Sequence, residues 1–272
     1  MNIIIISTII LCACGFLAGV ALAVASRVFA VKTDPRVEAI EKVLPGANCS
    51  GCGNPSCYVY AKSMVEDDAE PNLCVLASDK TEEIGGILGK EVSARKSRIA
   101  AIRCYGGNQA TKQFEYSGIP SCQAASLFSE GDRSCRYSCL GFGDCVDVCP
   151  FGALSRDGRN TPLVDPDKCE GCGKCVAECP KSVIVLVPKT ALPHVACSTK
   201  DKGKVVRQNC PIGCISCGRC VKVCPEDAIS MQDDLVHIDY SKCTSCGKCI
   251  EECPRKIIKE ITKRDEPEAV NQ

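Results

Sequence analysis

Tryptophan is missing from this 272-residue chain, and aromatic residues make up only 4% of it. Large side chains usually dominate a packed interior, so the folded units here must be small or held by something other than apolar volume. Histidine occurs twice, as His194 and His237, far apart and with no Ser/His/Asp pattern around them. No glycine-rich dinucleotide fingerprint follows a strand-like run, and there is no P-loop or flavin signature. Lys plus Arg and Asp plus Glu both number 33, giving zero net charge, with no basic block. Nucleic acid therefore has no electrostatic footprint to meet. The chain has no catalytic residues of its own, and any nicotinamide or flavin step belongs to a partner.

What is abundant is cysteine, 26 residues in tight clusters. The spacing C-x2-C-x2-C-x3-C-P occurs three times, at Cys169, Cys172, Cys175 and Cys179, at Cys214, Cys217, Cys220 and Cys224, and at Cys243, Cys246, Cys249 and Cys253. This is the run of bacterial two-cluster ferredoxins, in which three cysteines of one loop hold one 4Fe-4S cube and the fourth holds the neighbouring cube. The glycine after each second cysteine (Gly173, Gly218, Gly247) removes a Cβ where backbone passes close to sulfide. The expected wiring crosses over. Cys214, Cys217 and Cys220 pair with Cys253; Cys243, Cys246 and Cys249 with Cys224; Cys169, Cys172 and Cys175 with Cys149. The half-unit before Cys169 departs from the rule: "CRYSCLGFGDCVDVCP" spaces Cys135, Cys139, Cys145 and Cys149 by three, five and three. Cys135, Cys139 and Cys145 are expected to hold a further cube with Cys179, in a rebuilt loop or as a three-iron site.

Upstream, Cys49, Cys52, Cys57 and Cys74 form another four-cysteine group with Gly51 and Gly53 beside the second member. A four-cysteine zinc site and a disulfide knot are the competing readings. Zinc sites usually present two separated CxxC pairs. This accounts for five 4Fe-4S clusters. Cys104, Cys122, Cys197 and Cys210 remain, in two connectors, and are expected to form a sixth cluster if the connectors fold together; otherwise they are structural or free thiols. Cys12 and Cys14 lie in an apolar run and read as inert.

That run, Ile3 to Val31, has 23 uncharged residues from Ile3 to Ala25, enough at about 1.5 Å each to cross a hydrocarbon layer about 30 Å thick. No basic residue precedes it, as a signal peptide requires, and "LCAC" (11–14) lies too deep in the run for a lipoprotein box. Arg27, Lys32 and Arg36 follow it, which places the rest of the chain in the cytoplasm, the single-pass arrangement of a cell (inner) membrane protein. Gly15 and Gly19 form a GxxxG, a face on which another membrane helix can pack closely.

The expected fold class is α+β: a transmembrane helix (1–31), a small helical 4Fe-4S domain (32–90), a connector (91–130), a ferredoxin-like two-cluster module (131–187), a second connector (188–212), a second module (213–260) and a mobile tail (261–272). "TDPRVEAIEKVL" (33–44) reads as a helix capped by Asp34. Residues 78–103 read as helical, interrupted at Gly85-Gly86, and "PLVDPDKC" (162–169) and "LVHIDYSKC" (235–243) contain short strands.

An N-terminal membrane helix followed by "LPGANCSGCGNPSC", "YSGIPSCQAA", "CLGFGDCVDVCPFGAL" and "NCPIGCISCGRCVKVCP" resembles the B subunit of the Rnf complex along essentially the whole chain. The resemblance implies an electron-transfer subunit of an oxidoreductase that couples ferredoxin oxidation and NAD+ reduction to Na+ or H+ movement. The implied partners are soluble ferredoxin and the other membrane and flavin- or NAD-binding subunits. It carries the first-cluster role onto Cys49, Cys52, Cys57 and Cys74. Two modules instead of one imply a longer wire. The alternatives are a membrane-tethered polyferredoxin serving another redox complex or a redox-sensor reducing system, and an extracellular disulfide-rich structural protein.

Overall fold

The computed structural model describes residues 2–28, 34–93, 97–190 and 193–261. The first helix, α1 (Asn2–Val28), is apolar throughout and long enough to cross a membrane between Ile5 and Arg27. Lys32, Thr33 and the expected tail from residue 262 lie outside the described residues.

Helix α2 (Pro35–Val43) starts where the sequence places it. The Asp34 side chain accepts from the Arg36 N–H at 2.9 Å, and Pro35 occupies the first turn. Helices α3 (Cys57–Glu66) and α4 (Thr81–Leu88) pack on α2 around Val37, Ile40, Tyr60, Met64 and Ile84. The expected break at Gly85-Gly86 does not occur: α4 runs through both. A Cβ on Gly85 would stand 2.8 Å from the Lys90 carbonyl oxygen and 3.0 Å from Val92. The missing side chain lets the returning backbone press on the helix, which outweighs the weak helix propensity of glycine.

Two units of identical topology follow. In the first, β1 (Arg98–Ile102) pairs antiparallel with β4 (Ile184–Pro188), and β2 (Leu154–Arg156) forms a hairpin with β3 (Pro162–Val164). In the second, β5 (Pro193–Val195) pairs with β8 (Ile258–Glu260), and β6 (Ile229–Gln232) with β7 (Leu235–Ile238). The paired elements therefore begin at Arg98 and Pro193, inside the stretches read as connectors, and 98–102 is strand where helix was expected. "RIAAI" is an uninterrupted apolar run after Arg98, buried from Ile99 to Ile102, a pattern common to strand and buried helix that only pairing resolves. Short helices carry the cysteine loops: α5 (Cys122–Leu127), α6 (Asp144–Asp147) and α7 (Lys174–Glu178) in the first unit, and α8 (Gly203–Asn209), α9 (Arg219–Val223) and α10 (Lys248–Glu252) in the second. The two cores are built from Ile99, Val183, Ile184 and Val187, and from Val195, Ile229, Val236, Ile257 and Ile258, with buried cysteines interleaved among them. Each buried Val or Ile contributes about 1.5–3 kcal/mol, and with so few of them the cysteine sites must carry part of the fold.

Candidate iron–sulfur sites

Loop geometry places the thiols first. In each regular motif the residue before the second cysteine and the glycine after it are both left-handed: Gly171 and Gly173 (φ 64° and 83°), Ser216 and Gly218 (53° and 70°), Ser245 and Gly247 (56° and 77°). These turns curl each loop tightly, and the glycine caps a five-residue helix whose second residue is the third cysteine. The cap glycine is thus needed for its backbone conformation: a Cβ on Gly218 or Gly247 would meet nothing within 4 Å.

Three cavities are each lined by four cysteines. Cys122, Cys139, Cys145 and Cys179 line one; Cys104, Cys135, Cys197 and Cys210 line a second, between the two units; Cys214, Cys217, Cys220 and Cys253 line a third. Three further groups are read from charge neighbours. Cys74 is raised by burial and by the nearby Cys52 and Cys57. Burial, then Cys169, Cys172 and Cys149, push Cys175 up to about 12. Burial, then Cys243, Cys220 and Cys246, push Cys249 up to about 11. Cys224 follows α9, which packs on α10.

The structure differs from the sequence expectation at two positions, which exchange places. Cys122 stands with Cys139, Cys145 and Cys179, whereas Cys135 stands with Cys104, Cys197 and Cys210. Burial pushes Cys135 up to about 11, with Cys104 and Cys210 adding to it. Burial pushes Cys145 up to about 12, with Cys122 and Cys179 adding. The signal was present in the sequence. Aligned on Gly143 and Cys149-Pro150, the irregular half-unit reads Cys139-x2-Phe142-x2-Cys145-x3-Cys149-Pro150, the regular spacing with phenylalanine at the second ligand position. Gly143 (φ 97°) caps α6 as Gly173 caps α7. Cys122 stands at the cavity in its stead. Asp144 holds it there: its carboxylate accepts from the Cys122 N–H (2.9 Å), the Gln123 N–H (3.1 Å) and the Ser121 hydroxyl (2.9 Å). Burial pushes Asp144 up, but these donors outweigh it and hold the carboxyl below its usual range.

In the N-terminal domain, the Tyr60 hydroxyl donates to the Glu70 carbonyl (2.7 Å) and accepts from the Leu73 N–H (3.0 Å). It thereby returns Cys74 to Cys52 and Cys57. The Cys57 N–H donates to the Asn48 side chain at 2.8 Å. This domain sits on the first unit, because a Cβ at Gly51 would lie 2.9 Å from Cys172 Cβ and 3.8 Å from Cys172 Cα.

The candidate groups, numbered from the N-terminal domain, are site 1 (Cys52, Cys57 and Cys74, with Cys49 from the sequence spacing), site 2 (Cys149, Cys169, Cys172, Cys175), site 3 (Cys122, Cys139, Cys145, Cys179), site 4 (Cys104, Cys135, Cys197, Cys210), site 5 (Cys214, Cys217, Cys220, Cys253) and site 6 (Cys243, Cys246 and Cys249, with Cys224 from the sequence spacing). Cys49 acts on Cys172, Cys175 on Cys145, and Cys220 on Cys249. Two direct hydrogen bonds join site 4 to sites 3 and 5. The Cys139 N–H donates to Cys104 Sγ at 3.2 Å, and the Cys214 N–H donates to Cys197 Sγ at 3.4 Å.

The donor set fits iron–sulfur cubes. All 26 cysteines are free of disulfides. Among the described residues, no group of three or more His, Cys, Asp or Glu gathers closely enough to hold one metal ion. Burial pushes the clustered thiols Cys145 and Cys197 up to about 12; a bound cationic centre would stabilise their thiolate forms.

These features define an iron–sulfur protein of the two-cluster ferredoxin class. Comparison with known families agrees: the 4Fe-4S dicluster domain family matches residues 135–183 and 213–257, another family of the same description matches 168–229, and a family described as an Fe-S cluster matches 44–76. The chain is 42% identical over 244 residues to the B subunit of the Na+-translocating ferredoxin:NAD+ oxidoreductase complex of Acetobacterium woodii, covering 89% of this chain and 73% of that one. It is 41% identical to the proton-translocating counterpart of Clostridium ljungdahlii, covering 89% and 86%. It is 39% identical to the B subunit of the ion-translocating oxidoreductase complex of Methanosarcina acetivorans, covering 89% and 92%. The chain belongs to this family, the B subunits of Rnf complexes, and is an iron–sulfur electron-transfer component of an oxidoreductase complex.

Proposed function

We propose that this chain receives electrons from reduced ferredoxin on the cytoplasmic side and relays them along sites 6 to 1 toward membrane partners, within a complex that moves Na+ or H+ and reduces NAD+. In this reading α1 anchors the chain, and the Gly15/Gly19 face packs on a partner helix. The six sites each hold one 4Fe-4S cluster, with Cys224 completing site 6. Bound clusters supply one-electron oxidation and reduction over a potential range set by hydrogen bonds, charge and solvent access.

The observation that carries the proposal is the linkage of sites 3, 4 and 5. Cys139 and Cys214 link site 4 to its two neighbours through backbone N–H···S hydrogen bonds, so the two units are joined by ligand residues themselves. Cys217 and Cys246 are exposed, which opens sites 5 and 6 to a soluble donor, while site 1 lies on the domain that follows the membrane helix.

Three measurements test this. Anaerobically purified protein should contain about 24 Fe per chain, four for each of six cubes; colourless protein, or zinc in place of iron, would end the proposal. Inverted vesicles lacking this subunit should lose ferredoxin-dependent NAD+ reduction, and retention of that activity would refute the relay role. Replacing Gly15 and Gly19 with Leu should release the chain from its complex with its iron intact; a free polyferredoxin would be unaffected.

A further inference from the structure

The residue two places after the fourth cysteine differs in the four half-units: Phe151, Lys181, Glu226 and Arg255. Arg255 alone among them turns a guanidinium back onto the segment 210–214. Its Nε donates to the Gly213 carbonyl at 3.1 Å, and its Nη2 donates to the Cys210 carbonyl at 3.1 Å. The segment it grips, Cys210-Pro211-Ile212-Gly213-Cys214, delivers one thiol to site 4 and the next to site 5 within five residues. The same segment is wedged from other sides: a Cβ on Gly213 would stand 2.5 Å from Val206, and one on Gly106 would stand 3.0 Å from Cys210 Sγ. Arg255 is half-buried and lines the site 5 cavity. Lys181, at the same place in the first unit, also lines its cavity but reaches outward to the Glu130 carbonyl at 2.9 Å.

We infer that Arg255 is a positioning residue that fixes sites 4 and 5 relative to each other and raises the reduction potential of both. This rests on reading the two cavities as cluster sites. A planar fork that satisfies two carbonyls holds the segment in one geometry, which an ammonium does not reproduce. Each reduction adds a negative charge, and a nearby half-buried cation stabilises the reduced form more than the oxidised one.

The test is an EPR-monitored redox titration of the full-length protein, purified anaerobically in detergent, as wild type, Arg255→Gln and Arg255→Lys. The signals lost in Cys104→Ser and Cys214→Ser mark sites 4 and 5. Arg255→Gln should keep about 24 Fe and make both signals harder to reduce by roughly tenfold in the reduction equilibrium, which is about 59 mV for one electron. Arg255→Lys should move both by less than half as much. Unshifted signals at full iron, a shift in one signal only, or an equal shift in Lys and Gln would overturn the role of Arg255 and leave the six-site reading standing. If Arg255→Gln loses iron, Arg255→Lys decides, with full iron and near-normal potentials expected and a large shift overturning the inference. Wild-type protein with about 20 Fe would remove site 4, and the role of Arg255 at the junction with it.

Discussion

The two ferredoxin-like units share one strand plan yet solve the ligand problem differently. The second is regular. Each of its loops brings three thiols from within seven residues, and the fourth of site 5, Cys253, comes from the other half. The first unit keeps the glycine, the short helix and the Cys-Pro ending at 143–150 but places Phe142 where the second thiol belongs. Cys122, held by Asp144, stands where that thiol is missing, while Cys135, outside the regular four-position motif, faces the neighbouring unit together with Cys104, Cys197 and Cys210.

The sharpest way to break this comparison is to remove the exchanged cysteines singly. Cys122→Ser should cost site 3 about four Fe of roughly 24, and Cys135→Ser should cost site 4 the same, with different EPR signals lost. If both changes abolish one signal, the exchange is refuted. A finer version restores regularity: Phe142→Cys in the Cys122→Ser background should recover most of the lost iron. Failure to recover it would show that the rebuilt loop no longer follows the regular path.

Backbone comes next in expected size. Gly171→Ala sets a Cβ 2.2 Å from the Arg98 carbonyl oxygen and should destabilise the first unit by more than about 3 kcal/mol, a close contact added to left-handed strain. Gly247→Ala in the second unit meets nothing within 4 Å and should cost only about 1–2 kcal/mol, the left-handed penalty alone. Thermal bleaching of cluster absorbance would compare them, and equal losses would contradict the close approach of β1.

The smallest effect concerns Asp144. Its folded carboxyl titrates below its usual value, so its contribution is present above the usual carboxylate pKa of about 3.9 and is lost as pH falls through the lower folded value. Asp144→Ala should weaken the start of α5 by about 1 kcal/mol and flatten the acid sensitivity of site 3 relative to sites 5 and 6. Unchanged acid bleaching of site 3 would show that Cys122 is held by other contacts.

Much of this was legible before any fold. The regular motifs, their cap glycines, the Asp34 cap and the long apolar helix are local patterns, and loops of seven residues have little freedom to do otherwise. The Phe142 register was also legible, but the spacing of Cys135 from Cys139 competed with it and only packing decided between them. The helix through Gly85-Gly86 and strands β1 and β5 were hidden for a similar reason: a short apolar run or a glycine pair takes its conformation from the partner that approaches it.

By itself the sequence determined which residue types gather, how the three regular loops turn, and that the chain begins with a helix able to span a bilayer. Tertiary structure alone decided which distant thiols gather at the cavities of sites 3 and 4. Cys122 and Cys179 are separated by more than fifty positions, and Cys104 and Cys210 by more than one hundred. Contacts over such separations are chosen by the pairing of β1 with β4 and β5 with β8 and by the seating of one unit on the next. No short-range rule of spacing encodes them.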